Sequence, residues 1–146
     1  MTSIRHHLKL ALMAAAIGLA GCGMLQPSNT VTLSAQLSAG NQVPPNASSA
    51  TGMAEATLKK DSNMLSWKIS YAGLTGPATA AHIHGPAAAG ANAGVVVPFA
   101  VSANPIEGQA TLTAAQVADL MAGKWYVNIH TAANKGGEIR GQLMPK

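Results

Sequence analysis

Apolar and polar residues alternate along most of this chain. Val31, Leu33, Ala35 and Leu37 share one face of an extended segment. Ala54, Ala56 and Leu58 alternate with Met53, Glu55, Thr57 and Lys59. Leu65, Trp67, Ile69 and Tyr71 stand opposite Ser66, Lys68 and Ser70. Shorter strands are predicted over 80–84 and 95–99. Trp125, Val127 and Ile129 alternate in a later strand, and Ile139, Gly141 and Leu143 share a face in the last one, 138–143. Turn residues punctuate the runs: Ala39-Gly40-Asn41, Pro44-Pro45-Asn46, Lys60-Asp61-Ser62-Asn63, Gly76-Pro77 and Asn104-Pro105. One segment has helical period instead. Thr113 and Gln116 form a capping-box pattern, Val117, Leu120 and Met121 follow at helical spacing, and Gly123 is a stop, which predicts a short helix near 114–122. Many short strands and one small helix argue for an all-β fold, an antiparallel Greek-key β-sandwich.

The N-terminus has a different texture. Arg5 and Lys9 precede an uncharged apolar run, Leu10 to Ala20, too short to span a bilayer. A basic stretch followed by a short apolar one reads as a secretory signal. The run ends Leu19-Ala20-Gly21-Cys22, which resembles the lipobox of bacterial lipoproteins, where the cysteine is lipidated and the chain cut before it. That resemblance implies a signal peptide over 1–21, a lipidated Cys22 and tether over 22–30, and one folded domain over 31–146. Several acyl chains anchor firmly where one is marginal. Gly23 follows the cysteine where an aspartate would mark inner-membrane retention, so the expected location is the outer membrane, facing the periplasm.

Cys22 is the only cysteine, so the domain has neither a disulfide nor a thiolate for catalysis or metal binding. Loss of the signal would leave seven Lys plus Arg against five Asp plus Glu, scattered without a basic stripe. No nucleic-acid partner is expected from such a surface.

The candidate chemistry lies in histidine. His6 and His7 fall in the signal segment, leaving His82, His84 and His130. Side chains at i and i+2 of a strand share a face roughly 6.5–7 Å apart. With Ile83 directed inward, His82 and His84 point outward together. With Trp125, Val127 and Ile129 inward, His130 points outward with Tyr126 and Asn128. With Ile139 and Leu143 inward, Glu138, Arg140 and Gln142 are outward as well. Three imidazoles of common parity suit copper or zinc, with water completing the set, and copper(II) exceeds zinc in intrinsic affinity. Glu138 is expected to orient a ligand histidine by accepting its other N–H. Arg140 is expected to fix Glu138 or a loop carbonyl. Trp67, Trp125 and Phe99 are expected in the core, and Met53 and Met64 in ordinary packing. Gly90 and Gly94 flank a loop expected to shape access to His84. No serine stands in a nucleophile-elbow context and Asp119 falls on the helix, so no catalytic residue is assigned.

Three segments carry a family resemblance. They are Gly40-Asn-Gln-Val-Pro-Pro45, the run from Gly73 to Pro86 containing Ala81-His82-Ile83-His84-Gly85, and Trp125-Tyr-Val-Asn-Ile-His-Thr131 with Gly137-Glu-Ile-Arg-Gly-Gln-Leu143. Together they resemble the CHRD (chordin-like) domain family over 31–143, which implies an immunoglobulin-like β-sandwich and leaves the biochemical role open. A weaker resemblance is to copper/zinc superoxide dismutase, in which a His-x-His pair and a later histidine bind copper. His82, His84 and His130 follow that order, without a bridging histidine, a second metal cluster or a disulfide. Three functions remain open: binding of one copper or zinc ion for storage, handling or sensing; an envelope protein-interaction module with incidental histidines; and a dismutase-like redox enzyme.

Overall fold

The computed structural model describes residues 28–101 and 103–146. The signal segment and Cys22 lie outside the described residues. Eight strands form one antiparallel sheet that folds over on itself, so that the sandwich approaches a barrel. In chain order they are β1 (Thr30–Ser38), β2 (Thr51–Lys59), β3 (Met64–Ala72), β4 (Ala78–His84), β5 (Val95–Phe99), β6 (Ile106–Thr111), β7 (Trp125–Thr131) and β8 (Ile139–Pro145). Their order across the sheet is β5-β4-β7-β8-β1-β2-β3-β6. The rings of Trp67 on β3 and Phe99 on β5 stand 5.3 Å apart, which brings strands from the two ends of that order together.

The inward positions are those the alternation predicts. Leu33, Ile69, Ile83, Ile129 and Ile139 are completely buried, and Trp125 and Leu143 nearly so. Among the described residues, this pattern therefore forms an all-β sandwich with one short α-helix and a single 3-10 turn over Ala39–Asn41.

The helix, α1, spans Ala114–Met121. Thr113 Oγ1 accepts from the Gln116 N–H, and Gln116 Oε1 accepts from the Thr113 N–H, completing the capping box. At the other end Gly123 has a φ of 67°. The Gly123 and Lys124 N–H groups donate to the Leu120 and Asp119 carbonyls, the Schellman closure that favours glycine there. Leu120 is the residue that anchors the helix to the core; Met121 is exposed.

Two features differ from the sequence reading. Strand β6 is absent from it. Its core-facing positions are Ile106, Gly108 and Ala110, and Trp67 lies against Gly108 so closely that an added Cβ would stand 2.8 Å from Trp67 Cε2. Small residues under a large ring leave little alternation to read. The second difference is on the outer face of β4, β7 and β8. Its polar residues point away from the core as predicted, yet Tyr126, Asn128 and Arg140 are buried. Loop residues Ala91, Asn92 and Ala93, between β4 and β5, bind this face and form a second layer over it.

Candidate metal centre

Strand register assembles the histidines. On β4 and β7, His82 pairs directly with Asn128, His84 with Tyr126, and Ala80 with His130. Ala80 is small, which leaves room for the His130 ring to lean toward His82. The His82 and His130 ring centroids are 5.0 Å apart, and those of His82 and His84 are 5.4 Å apart. One donor atom from each of the three rings lies within 4.8 Å of the others. His82, His84 and His130 thus converge, as their common parity implied.

The hydrogen bonds decide which nitrogens are available. His84 Nδ1 is 3.0 Å from the Ala93 carbonyl, and His130 Nδ1 is 2.8 Å from the Lys135 carbonyl. A carbonyl only accepts, so each Nδ1 carries the ring proton and donates it. A neutral imidazole then keeps its lone pair on Nε2. Both Nε2 atoms face the same space, each ring held by a backbone carbonyl behind it as in metal-bound histidines generally. His82 Nδ1 lies 3.1 Å from His130 Nε2. Without an ion His82 donates that proton to His130; to present Nδ1 as a ligand it takes the other tautomer.

Electrostatics favour the neutral forms of His82 and His84. Burial lowers the His82 imidazole below its ordinary value, and repulsion from His130 and His84 adds to this. Burial also lowers His84. Its bonds to Ala93 and Asn128 oppose that shift, while His130 and Arg140 reinforce it. Metal ligation requires deprotonated nitrogen, so both shifts extend the acidic range over which the donors are ready.

Beneath His84 lies a stack of planar groups. Its ring is parallel to Tyr126 within 1° at 4.8 Å, and the Arg140 guanidinium carbon lies 3.4 Å from the Tyr126 ring centroid. Arg140 donates to the Ala91 carbonyl at 2.7 Å and to Asn92 Oδ1 at 3.0 Å. The Tyr126 hydroxyl meets the Ala93 N–H at 3.1 Å. Arg140 therefore fixes a loop carbonyl, the second of its two expected roles, and the loop it fixes carries the carbonyl that orients His84.

Glu138 does not take the position expected of it. Its side chain turns to the inward side, beside Thr131. One carboxylate oxygen accepts from Ser48 Oγ at 2.6 Å and from the Thr75 N–H at 2.8 Å; the other accepts from Thr75 Oγ1 at 2.8 Å and Thr131 Oγ1 at 2.7 Å. None of these partners is an imidazole. Burial alone pushes this carboxyl up, but hydrogen bonds from Ser48, Thr131 and Thr75 outweigh it and hold it at about 2. The reversal begins at Gly137, whose φ of 121° admits glycine and few other residues. Carbonyls of Ala93 and Lys135 occupy the orienting positions instead, and backbone atoms in loops leave no mark in a residue pattern.

A shallow concavity of about 610 Å³ lies elsewhere, over Glu55, Ser66, Lys68 and Glu107, and includes none of the histidines. Among the described residues, no helix is long and apolar enough to cross a membrane.

The sequence that forms this fold matches one family. The CHRD domain model matches residues 33–143, most of the chain, and the chain belongs to the CHRD domain family. No curated protein and no solved structure matches it.

Proposed function

We propose that this CHRD-domain protein binds a single copper or zinc ion through His82, His84 and His130, in a storage, handling or sensing role at the cell envelope. The observation that carries the reading is the convergence of three imidazole donors within 4.8 Å, two of them with Nδ1 committed to backbone carbonyls. Binding draws the rings inward until three nitrogens stand at the distance of about 2 Å that either metal accepts. The lipobox-like Leu19-Ala20-Gly21-Cys22 supports attachment through Cys22 to the outer membrane, with the domain in the periplasm.

The test is titration of the purified domain with copper(II) and zinc, against a His82→Ala control. One equivalent bound by the native chain, and weak or no binding by the control, is the expected result. Equal uptake by both would assign binding to other groups. Superoxide consumption by the copper-loaded domain tests the dismutase-like alternative. Fractionation of cells carrying Cys22→Ser, with release from the membrane expected, tests the anchor.

A further inference from the structure

The register that gathers the histidines also places Asn128 at their centre. Asn128 stands directly opposite His82, two residues from His130 on the same face, and is buried. Its Oδ1 is 3.0 Å from His84 Nε2 and 3.0 Å from His130 Nε2. His130 Nε2 is in turn 3.1 Å from His82 Nδ1. Ligand atoms on one ion, with bonds of about 2.0–2.1 Å, stand roughly 2.8–3.4 Å apart between right-angle and tetrahedral geometry. These three contacts fall in that window, while the three ring donors as a set lie within 4.8 Å of one another, wider than the roughly 4.2 Å that two ligands on one ion can span, and close up on binding.

The proton inventory points the same way. The Ala93 and Lys135 carbonyls take the Nδ1 protons, so Oδ1 faces two nitrogen lone pairs. Oxygen and nitrogen lone pairs aimed at one another repel unless a cation lies between them. Without an ion, the same amide turned over donates to His84 Nε2, while His130 Nε2 takes the His82 proton.

We propose that Asn128 is the fourth ligand, its amide oxygen closing a three-nitrogen, one-oxygen centre at the position a water would otherwise occupy. The proposal rests on metal binding by the three histidines and deepens it. A neutral, hard amide oxygen favours a divalent ion, zinc or copper(II), over copper(I). A centre closed by protein ligands suits holding an ion better than activating a water upon it.

Copper(II) is the probe. The native chain and the Asn128→Ala and Asn128→Asp variants are titrated, and their copper spectra and the relaxation of solvent water protons are recorded. The native complex is expected to enhance water relaxation weakly. In Asn128→Ala, water enters the vacated position, relaxation rises, the spectrum shifts, and affinity falls about tenfold or more. Asn128→Asp restores an oxygen donor and recovers native affinity and weak relaxation. Strong water relaxation in the native copper complex overturns the proposal without reference to any variant. An unchanged spectrum in a folded, copper-binding Asn128→Ala chain overturns it too. If the native chain takes up no copper or zinc at all, the histidine site itself fails, which is a separate outcome.

Discussion

The two halves of the sheet use the same alternation to opposite ends. On β2, β3 and β6 the outward positions carry Glu55, Ser66, Lys68, Ser70 and Glu107, all exposed. On β4, β7 and β8 the corresponding positions carry His84, Tyr126, Asn128 and Arg140, which are buried, and His82, His130 and Gln142, which are half-buried. The first half follows the ordinary economy of a solvated sheet face. The second removes polar groups from water, which costs free energy unless each finds a partner. Loop atoms supply partners for three of the four buried residues: the Ala93 carbonyl for His84, Ala91 and Asn92 for Arg140, and the Ala93 backbone for Tyr126. A fold that needed only a core would have no reason to build this second polar layer. Its presence on one half only is what the proposed metal site accounts for.

The largest expected effect tests whether that layer is held as a unit. Arg140 is buried, and none of the three ion pairs among the described residues involves it. Arg140→Met keeps much of the stem but leaves the Ala91 carbonyl and Asn92 without their charged donor. A loss of about 3 kcal/mol is expected from chemical denaturation, in the range of hydrogen bonds to a charged group plus an unpaired acceptor. The loop should loosen as well, read as faster amide exchange at Asn92 and Ala93. A change below about 0.5 kcal/mol would make the two halves energetically equivalent and break the comparison.

Glu138 sharpens the comparison through pH. Its folded carboxyl sits at about 2, against an ordinary 4.5. As pH falls, the unfolded chain takes up the proton first, so the stabilisation is complete above pH 4.5 and lost by about pH 2. Its size is on the order of 3 kcal/mol. Native protein should lose stability over that window, while Glu138→Gln should start less stable at neutral pH and show a flatter acid limb. Unfolding midpoints measured from pH 7 to pH 2 decide it; parallel curves for the two chains would remove Glu138 from the account.

Much of this was legible in the residues, for identifiable reasons. Strands with bulky inward residues announce themselves, as do the capping box at Thr113 and the stop at Gly123. The shared parity of His82, His84 and His130 followed from strand geometry alone, and the register of β4 on β7 turned parity into proximity. What escaped had weak local signal. Strand β6 sets Gly108 beneath Trp67, so its alternation is faint. The burial of the outward face depends on a loop whose contacts to Tyr126 and Arg140 are made across more than 30 residues of chain. Glu138 obeys its parity only until Gly137 turns the backbone. Asn128 was placed on the correct face, yet an amide suggests no chemistry until the imidazoles around it are seen.

The smallest expected effect lies on the solvated half, and its smallness is the point. Lys68 and Glu107 are direct cross-strand partners on β3 and β6, with Nζ 3.5 Å from Oε1. Both side chains are well over half exposed, so water and salt screen the pair. Exposed pairs of this kind contribute about 0.2–1 kcal/mol in double-mutant cycles. Lys68→Ala combined with Glu107→Ala should therefore show a coupling near about 0.5 kcal/mol or less, fading at high salt. Metal affinity in the same variants should be unchanged, because neither residue borders the histidines. A coupling of about 2 kcal/mol, or any effect on copper binding, would mean that charge on this half is as consequential as charge on the other. The contrast would then lie in geometry alone, with the buried layer losing its claim to mark the functional face.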